Sequence, residues 1–213
     1  ESLWNFKFEF DSQPGYQKMD KENKLVPGLP SGFEDRWENK LLLKKKLLKA
    51  IENNFIKFGA EPLETPSFEI SENIGSFLAE DEANPMSDVF SFQDGEKSIT
   101  LRYDLSSPLA RFVAQNNQEL PSIFKRYQIQ NVFRNEKAGN GRYREFMQAD
   151  FDIVGNVDPA QANAELCNVI SSTLSDCGLN KDQFTINVSN RKIVQGLINE
   201  LKISEEKQVK VIR

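Results

Sequence analysis

An α+β fold, in which an antiparallel sheet is flanked by helices, is predicted by three patterns in this 213-residue chain. Two runs of alternating apolar and polar residues, Arg126 to Glu136 and Arg142 to Ile153, surround a turn with glycines, which predicts a long antiparallel hairpin. A second hairpin signal, Asp94-Gly95, lies between two shorter strand-like runs. Stretches with helical spacing separate these hairpins, and this arrangement favours α+β over a doubly wound parallel sheet.

The chain is expected to hold one large domain, because 38% hydrophobic and 28% charged residues are typical of a soluble protein with one core. Residues 1–18 contain alternating aromatics that could form a short strand, but we interpret them as a non-native or disordered extension. Met19 opens a polar segment that resembles a natural start. The predicted domain therefore covers residues 19–213.

A long helix is predicted from about Glu34 to Phe58, after a turn-rich segment from Pro27 to Gly32. Gly59 is placed to end this helix. Its apolar stripe has helical spacing and consists of Trp37, Leu41, Leu48, Ile51 and Phe55. Lys44-Lys45-Lys46 could contact RNA, although a solvated helix face explains the same charges.

Short strands are predicted in the next part of the chain. Pro62 and Pro66 limit the run from Glu61 to Phe68 to an edge strand or an interface strand, because proline cannot donate to a sheet ladder. Val89 to Phe92 and Ser98 to Tyr103 are the predicted strands of the hairpin at Asp94-Gly95.

A helix is predicted directly after this hairpin, as far as about Gln115. In the run Asp104-Leu105-Ser106-Ser107-Pro108 the serines can cap the helix, and Pro108 can occupy its first turn. Asp104 therefore lies at a strand-to-helix junction, where side chains project into clefts.

The C-terminal part of the chain predicts two helices with a strand between them. The first helix runs from Pro159 to Cys177 and stops at Gly178. The strand is Phe184 to Val188, and the second helix is Arg191 to Leu201.

Composition excludes several kinds of site. The chain has no histidine, so histidine-based triads and zinc sites are excluded, and no metal site is predicted. Cys167 and Cys177 fit small buried residues in a reducing compartment better than a metal pair or a disulfide framework. The net charge of −5 gives no global basic field, which leaves an RNA partner open. No apolar run reaches membrane-spanning length and no signal peptide pattern is found, so we expect a cytoplasmic protein.

The polar face of the long hairpin carries the strongest functional signal. Alternation places six side chains on one side of its second strand: Arg142, Arg144, Phe146, Gln148, Asp150 and Asp152. The opposite side is the expected core face. Unpaired burial would be costly, so the polar side must meet water, another polar segment or a charged ligand. If Arg134 of the first strand joins Arg142 there, the two guanidiniums suit a phosphate chain. A solvent-exposed hairpin with cross-strand ion pairs is the alternative.

Four segments in sequence order resemble the histidyl-tRNA synthetase family of class II aminoacyl-tRNA synthetases. They are Leu29 to Asp35 before the long helix, Phe58 to Pro66 as the dimer-interface motif 1, Leu101 to Arg111, and the long hairpin as motif 2. The resemblance covers roughly Leu25 to Leu201. It implies an incomplete class II synthetase-like antiparallel sheet flanked by helices, and a homodimer that forms through the motif 1 region.

The resemblance also implies residues that bind ATP together with Mg²⁺. Arg134 would contact the α-phosphate and the substrate carboxylate as the adenylate forms, and would be the catalytic residue. Arg142 would reach the outer phosphates, Glu136 would lie on the adenine side, and Phe146 would stack on the adenine ring. Fixed arginines and Mg²⁺ suit this chemistry, because a carboxylate that attacks a phosphate brings two anions together. An ordinary core aromatic is the alternative for Phe146.

A second set of residues is implied for the amino acid. Asp104 would bind the α-ammonium of histidine, with Leu105 and Ser106 lining the same pocket. Gln148 would contact the amino-acid backbone, and Asp152 would accept a hydrogen bond from the imidazole. The alternative for Asp104 is a helix cap, and both roles could hold together.

The implied function is activation of histidine to histidyl-adenylate and its transfer to tRNA(His), which is a histidine–tRNA ligase activity. The turn after Glu136 reads Lys-Ala-Gly where much of the family has Arg-Pro-Gln. The family's motif 3 and its anticodon-binding domain are not found, so we expect a fragment that is inactive in isolation. The alternative function is the synthetase-like regulatory subunit of ATP phosphoribosyltransferase, which does not charge tRNA. Retention of Arg134, Glu136 and Arg142 favours the enzyme.

Overall fold

The computed structural model describes residues 27–74 and 88–204, and these ranges form two three-stranded sheets and five helices. The strands are β1 (Glu61–Pro62), β2 (Phe68–Ile70), β3 (Ser91–Asp94), β4 (Lys97–Leu101), β5 (Ile123–Phe133) and β6 (Glu145–Gly155). The helices are α1 (Glu38–Lys57), α2 (Ser71–Ile74), α3 (Ser106–Asn116), α4 (Pro159–Asp176) and α5 (Arg191–Glu200). One sheet has the order β1-β5-β6 and the other β2-β4-β3. The predicted extension, residues 1–18, lies outside the described residues.

The long hairpin predicted from the alternating pattern is present as β5 and β6, each 11 residues long. The strands are antiparallel and Phe133 pairs with Glu145, so the even-numbered residues of both strands share one face. Regular pairing stops before the predicted strand ends at Glu136 and Arg142. The connecting segment closes instead through an isolated bridge between Gly139 and Arg142. The hairpin therefore widens near its turn.

β1 is an edge strand, as its prolines predicted. It pairs with β5 in parallel, which the antiparallel prediction did not include. Pro62 cannot donate to β5, but the next amide nitrogen, that of Leu63, donates to the Tyr127 carbonyl at 2.9 Å. This short pairing brings Thr65, which follows β1, to the even-numbered face of β5.

The hairpin predicted at Asp94-Gly95 is confirmed as β3 and β4. Gly95 has φ 60°, in the left-handed region that glycine favours. Both strands differ from their predicted bounds: β3 begins later, at Ser91, and β4 ends earlier, at Leu101. Residues 102–104 therefore leave the sheet and lead into α3.

The odd-numbered face of the long hairpin is the core face, as predicted, and α1 and α4 contribute to its cover. Phe55 of α1 packs edge-on against Phe151, with ring centroids 5.5 Å apart. Val169 of α4 is 2% exposed in the same cluster. Asn54 is fully buried, and its amide donates to Asp176 at 2.7 Å, which ties α1 to α4. This packing leaves the even-numbered face for a functional site.

Four helices lie where the sequence predicted them, and the short α2 was not predicted. The predicted apolar stripe of α1 includes one wrong residue, Trp37, which lies before the helix and is 70% exposed. The two buried residues of α1, Asn54 and Phe55, lie in its last turns, at the end of the helix opposite to Trp37. Across the described ranges, no helix combines the length and apolarity needed to cross a membrane.

Two other local predictions are wrong. Residues 184–188 form no strand, and Val188 is 74% exposed, because no strand of the described chain lies beside them to share backbone hydrogen bonds. The serines do not cap α3. Asp104 does so instead, since its Oδ1 accepts a hydrogen bond from the Ser107 amide at 3.0 Å.

Candidate functional site

Two groups of polar side chains lie along the long hairpin: one on the segment that connects β5 to β6, and one on the even-numbered face near the other end of the strands. The group near the turn lines a cleft of about 230 Å³, which we call the tip cleft, formed by Arg134, Glu136, Gly141, Arg142, Tyr143 and Phe146. Gly141, with φ 74°, lets the chain turn back at this point. The structure therefore brings together all four residues that were predicted to bind ATP.

Arg134 contacts two aromatic rings in the tip cleft. Its guanidinium carbon lies 4.4 Å from the ring centroid of Tyr103 and 5.0 Å from that of Phe146. Each such cation–π contact contributes about 0.5–2 kcal/mol, depending on how dry it is. The Nε atom also lies 3.5 Å from the Tyr103 carbonyl, which is a long hydrogen bond. Phe146, the predicted adenine-stacking residue, therefore has its ring against the guanidinium.

Glu136 connects Tyr103 to Arg142. The Tyr103 hydroxyl donates to Glu136 Oε1 at 3.1 Å, and Arg142 Nε donates to Oε2 at 2.7 Å. The Arg142 side chain is 66% exposed, so its ion pair is worth only about 0–1 kcal/mol and can be exchanged for another anion. Burial, and then the hydrogen bond to Glu136, raise the pKa of Tyr103, so its hydroxyl stays protonated and remains a donor.

The second polar group surrounds Arg126, which is fully buried. Its Nη2 lies 2.8 Å from Asp152 Oδ2 and donates to the Leu105 carbonyl at 3.1 Å, while Nη1 donates to Gln128 at 3.1 Å. We call the side chains of Arg126, Gln128, Gln148 and Asp152, which share the even-numbered face of β5 and β6, the buried polar pocket. Burial raises the pKa of Asp152, and the Arg126 charge opposes that rise. Burial likewise lowers the pKa of Arg126, so the ionised form of each side chain is stabilised by the opposite charge of the other.

Three buried atoms of this pocket have no hydrogen-bond partner within the described part of the chain: Gln148 Oε1, Asp152 Oδ2 and Arg126 Nε. The Asp152 oxygen is within ion-pair distance of Arg126, but the geometry of that contact is not that of a hydrogen bond. Leaving a buried polar atom unpaired costs about 1–3 kcal/mol. Because two of the three atoms are acceptors, the pocket suits a ligand with N–H donors.

The turn between β4 and α3 approaches the same pocket. Leu105 is fully buried, and its carbonyl accepts from Arg126. Asp104 is half-buried and caps α3, and its charge opposes the fall in the Arg126 pKa that burial causes, so the two groups interact electrostatically. Ser106 is exposed in the first turn of α3 and is not one of the buried groups. Of the predicted amino-acid residues, Leu105 and Asp152 contact Arg126, Asp104 interacts with it electrostatically, and Gln148 lies on the same strand face.

Arg144, on the predicted polar line, belongs to neither group. Its guanidinium carbon lies 4.6 Å from the Phe90 ring centroid, and its backbone amide donates to the Gly32 carbonyl at 2.8 Å. Gly32 has φ 83°, and a Cβ there would lie 2.6 Å from Arg144 Cγ, so only glycine fits without a shift. Arg144 therefore anchors the segment before α1 on the hairpin.

The sequence model of the family described as histidyl-tRNA synthetase matches residues 32–213. The chain belongs to this family. The histidine–tRNA ligase of Pelagibacter ubique strain HTCC1062 is 76% identical over 195 residues, which cover 92% of this chain and 42% of that protein. The chain thus spans well under half the length of this curated relative.

Two solved structures have folds similar to the fold of this chain. The crystal structure of histidyl-tRNA synthetase from Nostoc sp. PCC 7120 superposes with a TM-score of 0.71 at 28% identity, over 84% of this chain and 41% of that one. A Bacillus halodurans protein, titled an ATP phosphoribosyltransferase regulatory subunit/histidyl-tRNA synthetase, has a TM-score of 0.63 at 21% identity, over 75% of this chain and 40% of that one. This second likeness shows the fold alone. The predicted class II synthetase-like fold is confirmed.

Sequence reasoning missed several residues that shape the site of this chain. Arg126 and Gln128 were not assigned to it, although their even numbers place them on the same face as Arg134. That parity was the available signal. Tyr103 and the buried Arg102 had no such signal, because their positions depend on how the end of β4 approaches β5.

Proposed function

We propose that the full-length protein containing this chain activates histidine with ATP and transfers the histidyl group to tRNA(His). The observation that carries the proposal is the presence of the tip cleft and the buried polar pocket along one hairpin. Membership of the histidyl-tRNA synthetase family and 76% identity to a histidine–tRNA ligase support the same activity. Because the chain covers 42% of that relative, the activity belongs to the proposal for the longer protein.

In the tip cleft, Arg134 would contact the α-phosphate of ATP and the carboxylate of histidine. A carboxylate oxygen attacks the α-phosphorus, the new P–O bond forms, the bond to the bridging oxygen breaks, and pyrophosphate leaves. Charge builds on the phosphoryl oxygens, so a fixed guanidinium stabilises the transition state. Arg142 would exchange Glu136 for the outer phosphates, while Glu136 and Phe146 would hold the adenine side.

Mg²⁺ would enter on the ATP phosphates, whose charge it neutralises. Within the described ranges, no group of three or more histidine, cysteine or acidic side chains could hold a metal ion. Phosphate oxygens and water would therefore supply most of its ligands, with Glu136 as the carboxylate that lines the tip cleft.

In the buried polar pocket, histidine would supply the missing N–H donors. Gln148 Oε1 would accept from the amino-acid backbone, and Asp152 Oδ2 would accept from the imidazole ring. Both atoms are buried and accept no hydrogen bond within the described chain, although Asp152 Oδ2 forms an ion pair with Arg126. Asp104 would bind the α-ammonium while it caps α3, with Leu105 and Ser106 beside it.

We propose a cytoplasmic homodimer that forms through the motif 1 region. Exposed apolar side chains on α1, the helix that leads into this region, support an interface there: Leu42 is 64% exposed, and Ile56, two residues before the region begins, is 51% exposed. Residues 19–213 would form part of the catalytic domain, and motif 3 and the anticodon-binding domain would lie in the rest of the protein.

The proposed activity is tested by histidine-dependent ATP–pyrophosphate exchange with the full-length protein. We expect exchange in the wild type and a loss of about 10²–10³-fold in kcat for Arg134→Ala, as for removal of one transition-state donor. Lys57→Ala is the control, because Lys57 pairs with Asp176 at 2.8 Å between α1 and α4, on the side of the hairpin opposite the site. Histidine binding without any exchange would contradict the proposal and favour the regulatory-subunit function.

A further inference from the structure

Tyr103 contacts the tip cleft, although the proposed reaction gives it no role. It follows β4 and is half-buried. Its side chain meets Arg134 and Glu136, whereas the next residue, Asp104, caps α3 beside the buried polar pocket. Tyr103 therefore lies where the two parts of the site meet.

The backbone is fixed on both sides of Tyr103. The preceding Arg102 is 3% exposed, and its guanidinium donates to the Thr65 carbonyl at 2.7 Å. The Arg102 carbonyl accepts from the Phe133 amide at 3.0 Å, at the end of β5. On the other side, the Asp104 cap holds the start of α3. A side chain on such a rigid segment can order its neighbours at little further entropic cost.

Two of the cleft's charged groups depend on Tyr103. The ring lies 4.4 Å from the guanidinium carbon of Arg134, and the hydroxyl donates to Glu136 Oε1 at 3.1 Å. Arg142 holds the other oxygen of Glu136. If Arg142 turned to the outer phosphates, the Tyr103 hydroxyl would still hold Glu136 Oε1.

We propose that Tyr103 is a positioning residue, whose ring orients Arg134 for the α-phosphate and whose hydroxyl orients Glu136 while Arg142 binds the outer phosphates. The inference rests on the proposed function. The two parts of the side chain act on different kinetic constants. The ring acts through Arg134 on kcat, and the hydroxyl acts through Glu136 on the KM for ATP.

The test compares Tyr103→Phe and Tyr103→Leu in the full-length protein, by histidine-dependent ATP–pyrophosphate exchange. Tyr103→Phe keeps the ring and loses one hydrogen bond, so we expect the KM for ATP to rise about two- to tenfold with kcat nearly unchanged. Tyr103→Leu also loses the ring, so kcat should fall about tenfold. The KM for histidine should stay the same in Tyr103→Phe, because the ring still contacts Arg134 and the buried polar pocket is untouched.

Tyr127→Phe is the matched control. Tyr127 is 7% exposed and donates to Glu52 at 3.3 Å on the opposite face of the hairpin, so this variant also loses one tyrosine–glutamate hydrogen bond. Its exchange kinetics should equal those of the wild type. The inference is overturned if both Tyr103 variants match the wild type, if the KM for histidine rises with that for ATP in Tyr103→Phe, or if Tyr127→Phe loses as much activity.

Failure of the proposed function gives a different result, namely no exchange in the wild type. Equilibrium dialysis with radiolabelled ATP then tests Tyr103 directly. A dissociation constant about two- to tenfold higher for Tyr103→Phe than for the wild type supports the inference. Equal binding by the two proteins, or no ATP binding by the wild type, overturns it.

Discussion

Replacement of Arg126 by methionine removes the guanidinium at the centre of the buried polar pocket and keeps a long side chain. Three groups then lose a partner: the Asp152 carboxylate, the Leu105 carbonyl and the Gln128 amide oxygen. Leu105 and Gln128 are fully buried, so water cannot replace the lost contacts there. The Asp152 side chain is 32% exposed and recovers part of its hydration.

The expected loss of stability is large for one substitution. Removing one member of a buried ion pair costs about 3–5 kcal/mol, because the remaining charge stays buried without compensation. Two unpaired acceptors cost about 1–3 kcal/mol each, and this cost overlaps with the first. Since Asp152 reaches some solvent, we expect a net loss of about 3 kcal/mol, out of the roughly 5–15 kcal/mol that stabilises a domain.

Urea unfolding of the chain, followed by circular dichroism, measures this loss. The double variant Arg126→Met/Asp152→Asn should be more stable than the single variant, because the stranded charge is gone. Lys49→Met is the control, since Lys49 and Glu52 form an exposed pair at 3.0 Å that is worth about 0–1 kcal/mol. A loss below about 1 kcal/mol for Arg126→Met, or a double variant no more stable than the single one, would refute this reasoning.

Asp150→Asn should stabilise the chain at neutral pH, because burial raises the pKa of Asp150 and its ionised form therefore disfavours folding. The stability advantage of the variant should appear as the pH rises from 3.8, the ordinary pKa of aspartate, towards the raised pKa of Asp150, and it should vanish below pH 3.8. Equal melting temperatures of variant and wild type at pH 7 would count against this prediction. The 213-residue chain alone should show no histidine-dependent ATP–pyrophosphate exchange, because it covers only 42% of a related ligase. Exchange by the purified chain would disprove that expectation.

The alternating residues of the long hairpin were sufficient to predict β5, β6 and their two faces. Alternation is a local property of an extended chain, so Phe151 could be assigned to the core face and Gln148 to the polar face without knowledge of their neighbours. Helix α4 was equally predictable, because Pro159 at its first turn and Gly178 after its end are local signals. The functional roles of Arg134 and Asp152 remain predictions.

Other features had no local signal. Residues 184–188 have the composition of a strand, yet a strand also needs a neighbour to share its hydrogen bonds, and the described chain places none beside them. Ser106 and Asp104 both have side-chain oxygens that can cap a helix, so the sequence did not decide between them. The backbone path out of β4 decided in favour of Asp104, and this path also carries Tyr103 to the tip cleft.

By itself, the sequence of this chain determined which polar side chains share one face of the hairpin, because side-chain direction alternates along any strand. Only the tertiary structure decided what surrounds them. At one end, Thr65 and Leu105 come from distant segments to contact Gln128 and Arg126, so the polar groups there are buried and some of their atoms form no hydrogen bond. At the other end, Arg142 stays exposed in an open cleft. Burial depends on which distant segments pack together, and no local pattern encodes that.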